Sequence, residues 1–290
     1  MKWVKALLSM CFVISDLLGR ARLPSKHATE LRNFSNDGQR LTTHSTLSLS
    51  TSNCDENKNY VLNQMLRAVF FPKKPAFNSE QAILYETAID IFARNAHLLH
   101  ESEIKIPKKI HQIWIGSEPP QEVLKLSKTV KKYHPDFEYK LWRDSDLAEF
   151  GLDTNSLFLA APNWGEKADI FRYCILHTYG GVYFDMDITC YKSIEPLMHG
   201  VGFFAGIPDF NFFEIANGVI GCVPHHPIIE RMITRLISSN SVEGRTMGTV
   251  ERTGPVLFTR VITECWKEGS ATDLLIFPIN YFYPSRENLA

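Results

Sequence analysis

The chain has 290 residues, of which 44% are hydrophobic and 12% aromatic, and this supply of apolar side chains suffices for a sizeable folded core. Its 31 Lys and Arg residues nearly balance its 32 Asp and Glu residues, which leaves a formal net charge of -1. That balance argues against a nucleic-acid partner, because such a partner normally requires a basic excess collected on one face.

Residues 1–22 have the layout of a targeting segment. Lys2 and Lys5 stand at the start of an apolar stretch, residues 6–18, and Gly19-Arg20-Ala21 after it resembles a small-residue cleavage site, as in a secretory signal or membrane anchor. The stretch contains Asp16 and is shorter than the roughly 18 apolar residues of a spanning helix, so an amphipathic helix is an equally good interpretation. The localisation therefore stays unknown, with the secretory pathway, membrane association through the N-terminus and an ordinary helix as open alternatives.

Two further segments precede the part of the chain that carries recognisable motifs. Residues 23–59 are rich in Ser, Thr and Asn and poor in large apolar residues, which predicts a flexible stem or linker. Residues 60–104 are predicted to form a helical N-terminal portion. Asn78 and Gln81 have the form of a capping box there, and an apolar face runs from Ile83 to Leu98.

Residues 105–290 alternate between short β-rich runs and helical patterns. The predicted strands are 109–115, 139–142, 182–184, 202–207 and 215–222, and the predicted helices are 119–133, 166–179, 227–238 and 254–267. Such alternation is typical of an α/β domain with a mixed, mainly parallel sheet flanked by helices.

The strongest motif is the segment 180–187, Gly-Gly-Val-Tyr-Phe-Asp-Met-Asp. A helix ends at two glycines, a buried strand follows, and Asp185 and Asp187 come at its carboxyl end, where ligands bind in open α/β sheets. Side chains two apart on an extended backbone project to the same side. We therefore expect both acids to hold Mn²⁺ or Mg²⁺, which prefer oxygen ligands. The alternative is a capped strand end with solvated acids.

Asp169 and Arg172 lie at the helical spacing i, i+3 in the helix that leads into this strand, so they share one face. This face could border the same cleft, or the two residues could form an ordinary exposed ion pair, which contributes little. Trp114 ends the first predicted strand, just before Gly116. It could offer an aromatic surface to a nucleotide base, or it could be a core residue.

The six cysteines form no C-x-x-C pair, which argues against a zinc ribbon or a thioredoxin-like redox site. Cys222, His225 and His226 lie close together and suggest a metal cluster. Pro224 intervenes and a fourth ligand is missing, so we expect these three to be buried or loop residues instead.

Three segments in the same order, 106–116, 167–173 and 180–187, resemble the D-x-D sugar transferases of glycosyltransferase family 32. That family includes initiating and sphingolipid mannosyltransferases, and the segments are also similar to the catalytic domain of the large glucosylating bacterial toxins. The resemblance covers residues 106–284 and implies a GT-A-like, Rossmann-related fold for residues 105–290. It further implies a metal-dependent, retaining transfer of a hexose from a UDP- or GDP-sugar to a glycan, lipid or protein acceptor.

The resemblance also implies a role for each matching residue. By resemblance, Ile113 and Trp114 contact the nucleotide base, and Asp169 and Arg172 bind the donor sugar. Tyr183 and Asp185 contact the nucleotide sugar. Asp187 is the main metal ligand, together with Asp185. Asn217 lies in a segment, 216–221, that borders the donor sugar or acceptor in the family, and with Asp169 and Arg172 it completes the catalytic candidates. A polar turn between strands is the alternative for Asn217.

Two other functions stay open at this level. The run 185–189 matches the D-x-D-x-T motif of haloacid dehalogenase-type phosphatases, with Asp185 as the nucleophile, although no acidic pair of the form G-D-x-x-x-D follows Thr189. Members of glycosyltransferase family 32 generally continue past a segment like 282–284 to a His and a Ser-Trp pair, whereas the printed chain stops at Ala290 without them. This departure is the basis for a third alternative, a protein that binds nucleotide sugar without turnover.

Overall fold

The structure is a computed structural model, and it describes residues 79–208, 214–238, 248–278 and 281–283. All of these residues belong to one compact unit, Phe77–Tyr283. The expectations for residues 1–22 and 23–59, and for the capping box of Asn78 and Gln81, lie outside what the structure describes.

A six-stranded sheet forms the centre of this unit, with the strand order β2-β1-β3-β5-β4-β6. Its strands are β1 (Lys109–Ile113), β2 (Glu138–Trp142), β3 (Gly181–Phe184), β4 (Phe203–Gly206), β5 (Ala216–Cys222) and β6 (Leu274–Phe277). The pairs β1–β2, β1–β3 and β4–β6 are parallel, and the pairs β3–β5 and β4–β5 are antiparallel. The predicted mixed, mainly parallel sheet is therefore confirmed.

Helices flank the sheet, as predicted. The described α-helices are α1 (Ser79–Asn95), α2 (Gln121–Tyr133), α3 (Ser156–Ala160), α4 (Trp164–Tyr179), α5 (Pro227–Ser238), α6 (Thr249–Arg252) and α7 (Pro255–Glu268), and 3-10 turns occur at Ala96–His100, Asp144–Phe150 and Glu195–Leu197. Every residue of β3, β4, β5 and β6 is buried. Burial of whole strands is the pattern of a sheet covered on both faces by helices.

The first described helix, α1, packs against the edge strand β6 and against α7. The side-chain amide of Asn95 at its end donates to the carbonyls of Thr272 and Leu274, at 2.7 and 2.9 Å. These bonds fasten α1 to the strand that completes the sheet. In the described ranges, no helix combines the length and the apolar content that crossing a membrane requires.

His111 on β1 links three neighbouring elements. Its Nδ1 lies 3.1 Å from the indole nitrogen of Trp142, and its Nε2 lies 2.8 Å from the carbonyl oxygen of Gly180. Because an indole N–H can only donate, Nδ1 is the acceptor and the proton resides on Nε2. Burial lowers the pKa of His111 to about 4, so the neutral ring joins β1, β2 and the end of α4.

A pair of glycines connects α4 to β3 without an intervening loop. Gly180 and Gly181 have φ angles of 58° and 89°, in the left-handed region that side chains disfavour. A Cβ atom on Gly181 would also lie 2.6 Å from the carbonyl oxygen of Lys109 on β1. The helix can therefore turn directly into the strand, which carries the polar face of α4 to the carboxyl end of β3.

Candidate functional site

The centre of the candidate site is the buried guanidinium of Arg172, which projects from α4 and is 4% exposed. Its Nη1 lies 2.9 Å from Oδ1 of Asp169, and its Nη2 donates to Oδ1 of Asp185 at 2.9 Å and to the hydroxyl of Tyr183 at 3.2 Å. The guanidinium carbon also lies 4.3 Å from the centre of the Tyr183 ring. One side chain thus bridges the two acids that the sequence assigned to different motifs.

The charge on Arg172 is held by its neighbours. Burial works against a charged guanidinium, but Tyr183, Asp185 and Asp169 outweigh burial and keep the pKa of Arg172 above its ordinary value. Removing one of these partners would leave a buried charge without compensation, which is far more costly than the loss of an exposed ion pair. The exposed-ion-pair alternative for Asp169 and Arg172 is therefore wrong.

Asp169 is 7% exposed and accepts hydrogen bonds from several buried groups. Asn217 on β5 donates to Oδ1 at 3.0 Å, and the hydroxyl of Thr253 donates to Oδ2 at 2.7 Å. Burial raises the pKa of Asp169, whereas Arg172 and Thr253 oppose that rise. Because each of these neighbours is a donor towards it, we assign the ionised carboxylate.

Asn217 is fixed from both sides. Its amide nitrogen lies 3.0 Å from the hydroxyl of Tyr173 as well as 3.0 Å from Asp169, and that hydroxyl donates to the carbonyl oxygen of Thr253 at 2.9 Å. Asn217 is 7% exposed and belongs to β5, so the polar-turn alternative is wrong. The strand orients this amide towards Asp169.

Asp185 follows β3 directly, but the extended backbone expected between Asp185 and Asp187 is wrong. The strand ends at Phe184, residues 186–187 form a turn, and the N–H of Ile188 bonds to the carbonyl oxygen of Asp185 at 3.3 Å. Met186 fills the core at 6% exposure, and burial of this apolar side chain within a turn leaves Asp187 exposed. The relation between the two acids therefore comes from a turn and not from strand alternation.

The backbone and carboxylate of Asp185 are held by β1, β3 and β5. The hydroxyl of Tyr183 donates to Oδ1 of Asp185 at 2.8 Å, and the N–H of Asp185 donates to the carbonyl oxygen of Gly218 at 2.8 Å. The side-chain amide of Gln112 donates to the backbone carbonyl oxygen of Asp185 at 3.2 Å. A Cβ atom on Gly218 would lie 2.6 Å from Oδ2 of Asp185 and 3.3 Å from the hydroxyl of Tyr283. Close approach of the carboxylate thus depends on glycine at this position.

Ile113 and Trp114 lie at the same edge of the sheet. Parallel pairing of β1 with β3 in the register Ile110 to Val182 carries the end of β1 towards Asp185. Ile113 is buried at 5% exposure, whereas Trp114 is partly exposed and its indole N–H donates to Ser117 at 3.1 Å. The core-residue alternative for Trp114 is therefore wrong, and the buried residue of the pair is Ile113.

Four polar residues of this site had no predicted role. Tyr173 and Gln112 lie inside the sequence segments that carry the family resemblance, so their position was a usable signal. Thr253 and Tyr283 belong to the last two described ranges, 248–278 and 281–283, far in sequence from the motifs. Only folding brings Thr253 to Asp169 and Tyr283 to Gly218. Burial first, and then the charge of Asp185, raises the pKa of Tyr283.

The acids at 185 and 187 fit a hard divalent cation such as Mn²⁺ or Mg²⁺, which prefers carboxylate oxygens. Asp187 is exposed. Partial desolvation of its carboxyl group, and then the charge of Asp185, raise the pKa of that group. In the described ranges, the hydrogen bonds donated to the Asp185 carboxylate end on Oδ1. Oδ2 of Asp185 and both oxygens of Asp187 are therefore the ligands that this site can offer.

Comparison with known proteins identifies relatives for the region that carries the site. Residues 120–203 match the family described as glycosyltransferase sugar-binding region containing DXD motif. An uncharacterized glycosyltransferase of Acanthamoeba polyphaga mimivirus is 32% identical over 190 residues, which cover 62% of this chain and 73% of that protein. These matches confirm the resemblance that the three sequence segments indicated.

Two further similarities extend the comparison. Inositol phosphoceramide mannosyltransferase 3 of Schizosaccharomyces pombe is 31% identical over 179 residues, or 60% of this chain and 49% of that protein. The chain thus spans about half the length of this curated relative. Among solved structures, PaToxG Glycosyltransferase is similar with a TM-score of 0.47 and 20% sequence identity, over 73% of this chain and 80% of that chain.

Proposed function

The chain belongs to the glycosyltransferases with a DXD-containing sugar-binding region, and we propose that it is a metal-dependent, retaining enzyme. In this proposal it transfers a hexose from a UDP- or GDP-sugar to a glycan, lipid or protein acceptor. The haloacid dehalogenase-type phosphatase alternative is dropped, because the relatives are glycosyltransferases.

One observation carries the proposal. The buried guanidinium of Arg172 bridges Asp169 and Asp185 at 2.9 Å each, and the exposed acid Asp187 follows in the adjoining turn. Buried charges are costly unless they are paired, and perturbed ionisable groups cluster at functional sites. These residues lie at the carboxyl edge of an α/β sheet, and ligands bind at this edge in such folds.

The reaction breaks the bond between a sugar carbon and a diphosphate oxygen. Positive charge grows at the sugar carbon and negative charge grows on the leaving group, so fixed charges on both sides lower the barrier. Mn²⁺ or Mg²⁺ supplies Lewis-acid stabilisation of the diphosphate when it is bound, and Asp187 with Oδ2 of Asp185 would hold it. Arg172, 2.9 Å from Oδ1 of Asp185, adds positive charge beside the acid that would hold the ion.

Asp169 has the capacity to orient the sugar. A carboxylate accepts about four hydrogen bonds. Asn217 and Thr253 each donate one to Asp169, and Arg172 forms an ion pair with it at 2.9 Å. Oδ1 faces both Asn217 and Arg172, whereas the described donor to Oδ2 is Thr253 alone, so Oδ2 is the less occupied oxygen. We assign this position to one sugar hydroxyl, and the bonds from Asn217 and Thr253 would hold the carboxylate in place for it.

The name of one relative bears on the identity of the donor sugar and of the acceptor. The printed name of the Schizosaccharomyces pombe relative is inositol phosphoceramide mannosyltransferase, which favours mannose as the hexose and a lipid among the three acceptor classes. Membrane association through the N-terminus stays a prediction, and a lipid acceptor would be consistent with it.

The test is a release assay on the purified full chain. It is incubated with a panel of UDP- and GDP-sugars and Mn²⁺, with and without a chelator, and the free nucleoside diphosphate is detected. We expect slow hydrolysis of one donor that stops when the chelator is present. A lipid acceptor added to the same donor should raise the rate.

Matched variants separate the site from the fold. Asp187→Ala is expected to lower both release and metal-enhanced donor binding by ~10-fold or more, as loss of groups at metal sites does. Asp136→Ala changes another exposed acid, in the turn before β2, and should behave as the unchanged protein. Equal turnover of both variants, or donor binding with no release under any condition, would contradict the proposed activity.

A further inference from the structure

A second cluster of metal-ligating side chains lies where the end of α4, the turn after β5 and the first part of α5 meet. Nε2 of His177, Nδ1 of His225 and a carboxylate oxygen of Glu230 all lie within 4.8 Å of one another. The two nitrogens are 3.2 Å apart, and Nε2 of His177 is 3.7 Å from Oε1 of Glu230. His177 is partly exposed, and the other two residues are exposed.

These separations are those of ligands around one small ion. Zinc is bound by imidazole nitrogen and carboxylate oxygen at about 2.1 Å in tetrahedral sites, which places neighbouring ligand atoms roughly 3.4 Å apart. The observed separations of 3.2 and 3.7 Å lie on either side of that value. The third separation, between His225 and Glu230, is at most 4.8 Å, so a side-chain movement of about an ångström brings the three groups around one ion.

The backbone fixes the two histidines relative to each other. The N–H of His225 donates to the carbonyl oxygen of His177 at 2.9 Å. A Cβ atom on Gly180 would lie 2.6 Å from the ring of Pro224, so the turn that carries His225 packs directly on the end of α4. The pair is thus held in place by the fold and does not depend on flexible side chains alone.

His225 has a φ angle of 55°, and among the described residues it is the non-glycine residue with positive φ. Few non-glycine residues adopt this conformation, and Asn, Asp and His are the types that do so most often. The placement directs its imidazole to His177, with ring centres 4.4 Å apart.

The neighbours that the sequence suggested do not take part. Cys222 is fully buried, with its sulfur 3.8 Å from the carbonyl oxygen of Leu176. His226 is also buried, and its Nε2 lies 3.7 Å from Oδ1 of Asp273. Of the three candidates in that stretch, His225 alone joins the cluster, and its partners come from other elements.

We propose that His177, His225 and Glu230 form a second metal site, which binds a zinc-type transition-metal ion with a water molecule as the fourth ligand. Two imidazoles with one carboxylate favour zinc and its neighbours over Mg²⁺, which prefers oxygen ligands alone. The bound ion joins α4 to α5 and to the turn between β5 and α5. The site is independent of the acids at 185 and 187.

The test measures binding of Zn²⁺ to the purified full chain carrying Asp187→Ala, so that the other acidic site contributes little. We expect one ion per chain, a rise in melting temperature on addition of Zn²⁺, and visible absorption bands when Co²⁺ replaces it. His177→Gln and His225→Asn should each weaken binding by ~10-fold or more, since even outer partners of metal ligands have effects of that size. Asparagine is used at 225 because it tolerates positive φ.

One control variant and one further ligand variant make the result decisive. His100→Gln removes another exposed histidine, at the end of the 96–100 turn, and should leave Zn²⁺ binding unchanged. Glu230→Gln alters a side chain that is 54% exposed, so it tests the third ligand with little effect on folding. Absence of Zn²⁺ binding, or equal affinity in the His177→Gln and His100→Gln chains, would overturn the proposal.

Discussion

The hydroxyl of Thr253 offers a sharp test of how the donor site is held together. It donates to Oδ2 of Asp169 at 2.7 Å in a buried position, so Thr253→Val replaces the hydroxyl by a methyl group of similar size. A hydrogen bond to a charged group contributes about 1.5–3 kcal/mol. If that bond holds Asp169 for the sugar in the transition state, its loss lowers kcat/KM for the donor by roughly 10- to 150-fold.

Three variants are compared by donor release and by thermal unfolding. Thr253→Ser keeps the hydroxyl and should retain most of the activity. Thr263→Val makes the same chemical change on α7, where the hydroxyl bonds to the carbonyl oxygen of Thr259 at 2.9 Å, away from the site. For a domain of this size, each kcal/mol lost lowers the melting temperature by about 2–4 °C.

The two valine variants separate a positioning role from a purely structural one. A positioning role for Thr253 requires that Thr253→Val lose far more turnover than Thr263→Val, at temperatures where both chains are folded. If both variants lose the same stability and keep the same kcat/KM, the assignment of Asp169 to the sugar is refuted. Retention of activity in Thr253→Ser excludes a simple packing effect.

Three more predictions follow from the described contacts. Arg172→Lys removes the fork that reaches two acids at 2.9 Å each, and loss of about 2 kcal/mol should lower donor turnover roughly 30-fold, whereas Arg235→Lys on α5 should not. Gly218→Ala places a Cβ atom 2.6 Å from Oδ2 of Asp185, so Mn²⁺-dependent donor binding, measured by calorimetry, should weaken. An unchanged affinity for the donor would contradict this geometry. Burial lowers the pKa of His111 to about 4 from 6.5, so the unfolded chain gains this proton first as the pH falls. The free energy of unfolding should therefore drop by about 3 kcal/mol between pH 6.5 and pH 4. If urea titrations give the His111→Gln chain and the unchanged chain the same dependence of this free energy on pH, His111 is not the cause.

Much of the sheet could be predicted because its strands are short apolar runs with clear ends. β3 follows two glycines, and β5 is an unbroken buried run. The edge strand β6, Leu274–Phe277, was missed. Gly269 and Pro278 bracket this part of the chain, but four apolar residues without alternation cannot be distinguished from a buried helical segment by periodicity alone. Its identity as a strand comes from parallel pairing with β4, which is a long-range contact.

The candidate site was predictable where its residues are near in sequence. Asp169, Arg172 and Asp185 lie within one helix and the strand that follows, so helical spacing and the glycine pair brought them together. Asn217 lies 48 residues from Asp169 and was named only through the family resemblance. Thr253 lies 84 residues away and was not predicted, because no local pattern indicates such a contact. The error about the backbone of 185–187 arose because the strand ends at Phe184 and the chain then turns, with the N–H of Ile188 bonded to the carbonyl oxygen of Asp185.

The charges of the site relate the proposed metal to the proposed donor. Asp169, Asp185 and Asp187 present three carboxylates, and the described guanidinium among them is that of Arg172. Such a cluster carries an excess of negative charge and would repel a nucleoside diphosphate. A divalent cation at Asp187 would neutralise that excess where the diphosphate binds, while Arg172 stays paired with the other two acids. The order of binding that this favours is cation first or together with the donor, so donor affinity and metal concentration should be coupled.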